Sequence, residues 1–269
     1  MKVVDYCVVC GSKNIIKLPG VIAPFITARL FGWTPTRMEN TEGQQFTTYP
    51  ICGTVRCQAC GYIGGDVRFD DDEMGKLYTG YRDEEYTALR EKFEPGYRKL
   101  NSELEDEPVP YLEELEAWIQ CSLPGRPRRV LDWGGGNGVN TPFKDAETID
   151  ILDMAEKPLK CGKRVTEPDP PYDLIVCSNV LEHVSYPVGF LGQIKPWMDR
   201  STVLFMEIPK ENREQLVWHE HINRFTDESI RRLLAICGLS IIDYKLFPPP
   251  RHGYEAIIMV TCELKEILG

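Results

Sequence analysis

Three groups of residues in this sequence have the types and spacing to do chemistry. The first is Val130-Leu-Asp-Trp-Gly-Gly-Gly-Asn-Gly138, a short apolar run that ends in Asp132 and turns through Gly134, Gly135, Gly136 and Gly138. Glycines spaced in this way let the backbone take positive φ and approach a ligand closely, while the acid can hydrogen-bond a polar or cationic group above the turn. The order differs from the dinucleotide fingerprint, which has no acid two residues before its first Gly, and from the phosphate-binding loop, which needs Gly-Lys-Ser/Thr. The second group is a pair of Cys-x-x-Cys-Gly turns, Cys7 with Cys10 and Cys57 with Cys60. Each turn aims two thiolates at one ion, and two turns complete a tetrahedral four-sulfur site of the kind that holds zinc. Four thiolates leave no open position, so the metal's role is structural. Redox chemistry is the rival reading of a Cys-x-x-Cys, but two copies each followed by Gly favour zinc, with Cys52 as a competing ligand. The third group is His219-Glu220-His221. A histidine takes up a proton near neutral pH, and an adjacent carboxylate orients it and raises its basicity. A metal site on these three is also open, although adjacent positions project differently and no fourth ligand is evident.

These groups need elements to carry them. Thr148 to Asp153 reads as a second short strand, ending in an acid fifteen residues after Gly138 and placed to accept from a ribose diol. Tyr172 to His183 reads as a third strand that runs into a polar lip at Ser178 and Asn179 and then a helix start. Ligands of open α/β sheets bind at the carboxyl ends of the strands, where Asp132, Asp153 and Asn179 all fall. Pro158, Pro168, Pro170 and Pro171 stand between the second and third strands, so any intervening strand and helix there are short or missing. Val203 to Pro209 reads as a strand that delivers the His219–His221 loop to the same edge. Thr226 then caps a helix with Ile230, Leu233, Leu234 and Ile236 on its buried face and Gly238 at its end. Ser240–Leu246 and Glu255–Cys262 are expected as the last strand pair, one of them antiparallel after the turn at Pro248 to Pro250.

Upstream, Asp83–Lys99 and Tyr111–Gln120 have helical apolar spacing, separated by Pro108 and Pro110. Tyr78, Tyr81, Tyr86 and Tyr97 serve core packing or roof a pocket. The division expected is residues 1–69 as a zinc-binding lobe, 70–124 as a helical bridge and 125–269 as the ligand-binding α/β domain.

The segment from residue 130 to 138, with Asp153 and Asn179 behind it, resembles the class I S-adenosylmethionine-dependent methyltransferases, over roughly residues 125 to 262. The resemblance implies a Rossmann-like α/β sheet, with Asp132 and Gly134 to Gly138 at the methionine end of the cofactor, Asp153 at the ribose and Asn179 beside the sulfonium. The two Cys-x-x-Cys turns followed by this core and the stretch Trp218-His-Glu-His-Ile-Asn-Arg-Phe-Thr226 are similar to bacterial sugar methyltransferases that act on nucleotide-linked deoxysugars. In their C-methylating members a Glu-His pair in that stretch serves in deprotonation beside a ketone, which carries over to Glu220 and His221. Those enzymes usually have a further C-terminal lobe, whereas this sequence stops soon after its last expected strand, so O- and C-methylation both stay open. The expected mechanism has His221 removing the acceptor's proton with Glu220 orienting it, and His219 nearby.

Composition narrows the alternatives. The chain has 269 residues, 42% of them hydrophobic, and no apolar run near 18 residues, which fits a globular protein without a membrane span. Its N-terminus lacks the apolar core of a signal peptide, so a cytoplasmic location is expected. With ten cysteines in such a compartment, ligands and buried thiols are favoured over disulfides. A formal charge of −10 disfavours broad nucleic-acid binding and hence a zinc-bearing RNA methyltransferase, although Arg126, Arg128 and Arg129 cluster before the first strand. An intact glycine turn with both acids argues against a non-catalytic scaffold. The partner expected is a small polar acceptor, a sugar or nucleotide-linked sugar; the oligomeric state is not legible.

Overall fold

Arg129–Trp133 and Leu174–Ser178 are short, nearly continuous apolar runs, the pattern of parallel strands covered on both faces. In the computed structural model, which describes residues 1–47, 50–211, 221–248 and 254–265, they lie side by side at the centre of a seven-stranded sheet. In chain order the N-terminal part contributes β1 (Lys2–Val3), β2 (Ile15–Val21), α1 (Pro24–Phe31), β3 (Arg37–Glu39), β4 (Gln45–Thr47), β5 (Ile51–Cys57), β6 (Ile63–Gly65) and β7 (Val67–Arg68). Four helices follow: α2 (Asp71–Tyr78), α3 (Glu84–Glu91), α4 (Tyr97–Asp106) and α5 (Leu112–Gln120). The rest is β8 (Arg129–Trp133), β9 (Thr148–Leu152), β10 (Lys163–Arg164), β11 (Leu174–Ser178), α6 (Pro187–Ile194), β12 (Val203–Glu211), β13 (Asn223–Arg224), α7 (Asp227–Ile236), β14 (Leu239–Phe247) and β15 (Tyr254–Leu264).

The large sheet has the order β10-β9-β8-β11-β12-β15-β14. The first five strands are parallel, and β15 runs antiparallel to both its neighbours, as expected for the closing pair. Alternate residues of each strand point to opposite faces. Val130, Leu174, Val176 and Phe205 therefore pack with Leu115 and Ile119 of α5. Leu131, Ile175, Cys177 and Met206 pack instead with Leu191 of α6, Leu233 of α7, and Cys7, Cys57 and Tyr62 of the N-terminal part. The sheet is thus a mixed α/β layer covered on both sides, the Rossmann-like class I architecture that the sequence suggests.

The prolines between Asp153 and Asp173 have the expected effect: β10 is two residues long and no helix lies between β9 and β11. Three expectations need correction. The helix read over Asp83–Lys99 is two helices, α3 and α4, because Pro95 and Gly96 interrupt it, with Gly96 at φ 94°. The bridge over 70–124 also holds a helix that was not read, α2, whose start is fixed by a reciprocal capping box between Asp70 and Glu73. On α7 the capping box of Thr226 and Ser229 is present, but Ile236 is 42% exposed rather than part of the buried face, which is carried by Ile230, Leu233 and Leu234.

The N-terminal part forms a four-stranded antiparallel sheet of order β13-β6-β5-β2. Its fourth strand comes from far along the chain: Asn223 pairs with Gly64, and Arg224 with Ile63. This pairing ties the cysteine turns to the segment that carries His221.

Candidate active site

Around the carboxyl edge of the large sheet lies a cavity of about 470 Å³. Asp132, Gly134, Gly135, Gly136 and Asp153 line one side, Ser178, Asn179 and Glu207 its base, and Glu182, His183 and His221 another wall. Tyr81 and Arg82, from the turn between α2 and α3, and Tyr97 of α4 line it as well.

The glycine turn has a steric reason for its composition. Gly134 is at φ 84°, and a Cβ there would stand 2.3 Å from Val180 Cγ2. Gly136 is at φ 58° and its N–H donates to Asp153 Oδ2 at 2.7 Å. The other Asp153 oxygen accepts from the Ala155 N–H, also at 2.7 Å. Asp153 therefore holds the turn, and its carboxylate keeps lone pairs for a further donor. Asp132 is 4% exposed and accepts from the Thr141 hydroxyl at 2.5 Å. Burial pushes its carboxyl up to about 7, the Thr141 bond opposes this, and the charge of Asp153 adds to it. Asn179 sits in the left-handed region at φ 54°, its N–H bound to the Glu207 carbonyl at 2.9 Å.

Glu207 was not singled out from sequence. It is an acid in the middle of the apolar run Val203-Leu-Phe-Met-Glu-Ile, which is the signal that could have found it. The parallel register sets it opposite Ser178, at the cavity floor. Tyr111 donates to its carboxylate at 2.5 Å, and burial raises its pKa against the bonds from Tyr111, Asn179 and Ser178.

Of the three residues read as catalytic, His219 and Glu220 lie outside the described residues, as does Trp218. His221 is described and lines the cavity. Its imidazole stands edge-on to that of His183, with ring centroids 4.6 Å apart, and Glu182 Oε1 is 3.9 Å from His183 Nε2. Glu182, His183 and His221 offer ligand-type atoms within 4.8 Å of one another. Asn223 fixes this wall: its N–H donates to the Glu182 carbonyl at 3.0 Å, and its side-chain amide to the carbonyls of Leu181 at 2.9 Å and Val184 at 2.6 Å. The Asn223 Oδ1 in turn accepts from Tyr62 and, at 2.7 Å, from Arg68, both in the N-terminal part. Of the four tyrosines, Tyr81 and Tyr97 line the cavity, Tyr78 packs edge-on against His183, and Tyr86 is buried against Phe25.

The four cysteines of the paired turns converge. All four sulfurs lie within 4.8 Å of one another, with Cys7–Cys60 at 3.7 Å and Cys10–Cys57 at 3.6 Å. These separations are far beyond a disulfide and close to the edge of a zinc–sulfur tetrahedron, about 3.8 Å for bonds of about 2.3 Å. Gly11 and Gly61, at φ 72° and 69°, close the two turns by donating to the Cys7 and Cys57 carbonyls. Cys52 does not join them. It lies on β5 beside the core of α1, where burial and the charge of Asp66 push its thiol up to about 11. The arginines before β8 are matched by acids, Arg126 with Asp145 at 2.6 Å, Arg128 with Glu147 at 2.6 Å and Arg129 with Asp169 at 3.4 Å. No helix among the described residues is long and apolar enough to cross a membrane.

Comparison with solved structures finds this fold in other methyltransferases. The chain is similar to the 1,6-didemethyltoxoflavin N1-methyltransferase of Burkholderia thailandensis, determined with 1,6-didemethyltoxoflavin and S-adenosylhomocysteine, at 15% identity and TM-score 0.53, covering 86% of this chain and 99% of that one. It is similar also to the magnesium protoporphyrin IX methyltransferase of Synechocystis PCC 6803 with S-adenosylmethionine bound, at 15% identity and TM-score 0.50, covering 73% and 98%. A comparison with curated proteins finds no significant match. A methyltransferase-domain family model matches residues 100–244, just over half of the chain and the whole run from α4 into β14. The chain accordingly belongs to the methyltransferase-domain family and is an S-adenosylmethionine-dependent methyltransferase of the class I fold.

Proposed function

We propose that the protein methylates a small polar acceptor, a sugar or nucleotide-linked sugar, at oxygen or at an acidic carbon. The observation that carries this reading is the meeting, around one cavity, of the Asp132–Gly138 turn, Asp153 and Asn179 with His221 on a separate wall. When bound, S-adenosylmethionine supplies a methyl group already activated on its sulfonium. The chain's own residues then have two tasks, alignment of the acceptor and removal of its proton. Asp132 is the partner for the cationic methionine end, Gly134 to Gly138 the surface that admits it, Asp153 the acceptor for the ribose hydroxyls, and Asn179 the neighbour of the sulfonium. The acceptor loses its proton at the wall where His221 meets His183 and Glu182. A sugar-type acceptor is supported by the Trp-His-Glu-His stretch and by a cavity whose lining mixes aromatic and charged side chains.

The four-sulfur cluster holds one structural zinc ion in this reading. Its sulfur separations suit the ion, and its second turn leads through β6 to the β13 pairing beside His221. The functional division of residues 1–69, 70–124 and 125–269 into zinc lobe, bridge and catalytic domain belongs to the same proposal.

The test is calorimetry with S-adenosylmethionine on the wild type, Asp132→Asn and Gly136→Val, followed by labelled-methyl transfer to a panel of nucleotide sugars. Binding by the wild type, lost in both variants, is expected. Unchanged affinity in both would remove the cofactor assignment, and transfer to none of the sugars would remove the acceptor class.

A further inference from the structure

We propose that Glu182, His183 and His221 form a second metal site, distinct from the four cysteines, which holds a divalent first-row transition ion on the acceptor wall of the cavity. The inference rests on the cavity being the methyl-transfer site and adds what the wall does there.

Two imidazoles and one carboxylate are a recurrent ligand set for zinc and its neighbours when the metal must keep open positions. Here the three ligand-type atoms already lie within 4.8 Å of one another. Around an ion with bonds of about 2.1 Å, ligand atoms stand roughly 3.0 to 3.4 Å apart, so rotations of the side chains close the site without moving the backbone. Glu182 is 1% exposed, so its carboxylate lies out of bulk water. The backbone that bears the three is held from both sides. The His183 N–H donates to the Val180 carbonyl at 2.9 Å, Asn223 grips the Glu182 carbonyl, and Gly65 binds the carbonyl of Ile222, next to His221, at 3.0 Å. Tyr78 packs edge-on against the His183 ring, with centroids 5.9 Å apart. All three side chains line the cavity, so the positions left open by a three-ligand site face the space where the acceptor would sit.

The chemistry follows from the open positions. An acceptor hydroxyl bound to the ion becomes more acidic, because the metal stabilises the alkoxide. Its proton leaves to solvent, the oxygen forms a bond to the methyl carbon, and the carbon–sulfur bond breaks with its electron pair returning to sulfur. His221 then acts as a ligand, and the ion performs the activation. The same geometry would serve a ketone acceptor, whose enolate oxygen the ion would hold.

The experiment uses the full-length protein loaded with one equivalent of zinc and titrated with Co2+, followed by absorption and by metal analysis. A second equivalent is expected, with the weak visible bands of a nitrogen and oxygen site and without the intense near-ultraviolet bands of cobalt thiolate. Loss of an outer partner of a metal ligand already costs about 10- to 100-fold in affinity. Glu182→Gln, which keeps the shape, and His183→Ala should each weaken this second site by at least about a hundredfold while retaining the first. Binding of one equivalent only, or a second site that survives in the His183→Ala/His221→Ala double variant, would overturn the proposal. Calorimetry with S-adenosylmethionine on the same samples separates the two readings. Intact cofactor binding with no second ion leaves His221 as a direct base, whereas absent cofactor binding removes the proposed function whatever the ion does.

Discussion

The cysteine cluster and the His183–His221 wall are both gatherings of metal-loving side chains, yet they are built in opposite ways. Each half of the cysteine cluster is a local turn whose two thiolates and following Gly lie within five residues, so the chemistry is visible in the spacing. The wall joins two neighbours after β11 to a residue 38 positions downstream of His183 that is placed by pairing with an N-terminal strand. The first is closed and suits a structural ion; the second opens on a cavity and suits chemistry. Local spacing therefore reports structure-building sites well and reactive sites poorly.

The largest effect that could break this contrast comes from Cys57→Ser. Losing one of four sulfurs should release zinc, and because β5 and β6 carry the β13 pairing, the His221 wall should loosen with it. We expect zinc content to fall below stoichiometry and the melting temperature to drop by on the order of 10 °C. An unchanged melt with and without chelator would show that the cluster is not a metal site. Next is His221→Ala, expected to lower turnover by at least about a hundredfold while cofactor affinity stays within about twofold. Wild-type turnover in this variant would move the reactive group elsewhere.

A smaller effect is graded with pH. In the folded protein burial keeps Asp132 protonated up to about 7, whereas in the unfolded chain it ionises near 4. Free-protein stability from this group therefore falls as pH rises between those values. Binding of a cationic methionine group favours the ionised form, so affinity should climb about tenfold per unit as pH rises toward 7 and then level off. Calorimetry on the wild type in buffers of different ionisation enthalpy should show proton release on binding below 7, and a binding heat independent of the buffer there would remove Asp132 as the group that titrates. The smallest effect should come from Arg128→Ala, which breaks an exposed pair with Glu147. No resolvable shift in melting temperature is expected, because solvent screens an exposed pair, and a clear drop would mean that the basic cluster has a partner beyond its acids.

Much of the sheet was legible because parallel strands announce themselves as apolar runs ending in polar residues, as at Asp132, Asp153 and Ser178. The short β10 followed from four prolines. The split between α3 and α4 was equally present in Pro95-Gly96, and α2 in Asp70 and Glu73, but the amphipathic spacing on either side outweighed these local signals. What spacing cannot reveal is register. Glu207 reaches the cavity floor because β12 aligns it with Ser178, and β13 is two residues long, too short for any periodicity, existing only because β6 offers it an edge. His183 lay in a stretch read for its strand, and its nearness to His221 depends on that same pairing.

The borrowed fourth strand also sets a timetable for folding during synthesis. Tyr62 and Asn223, which share a hydrogen bond, are 161 positions apart. At about 5 to 20 residues per second, the outer edge of β6 leaves the ribosome roughly 10 to 30 s before its partner is made. Throughout that interval Ile63 to Gly65 presents unpaired backbone groups, the kind of edge on which nascent chains associate wrongly. Gly64 and Gly65 make this edge short and poor in side chains, which limits what a foreign strand can gain from it. Expression at lower translation rate should therefore increase aggregation of this protein rather than relieve it.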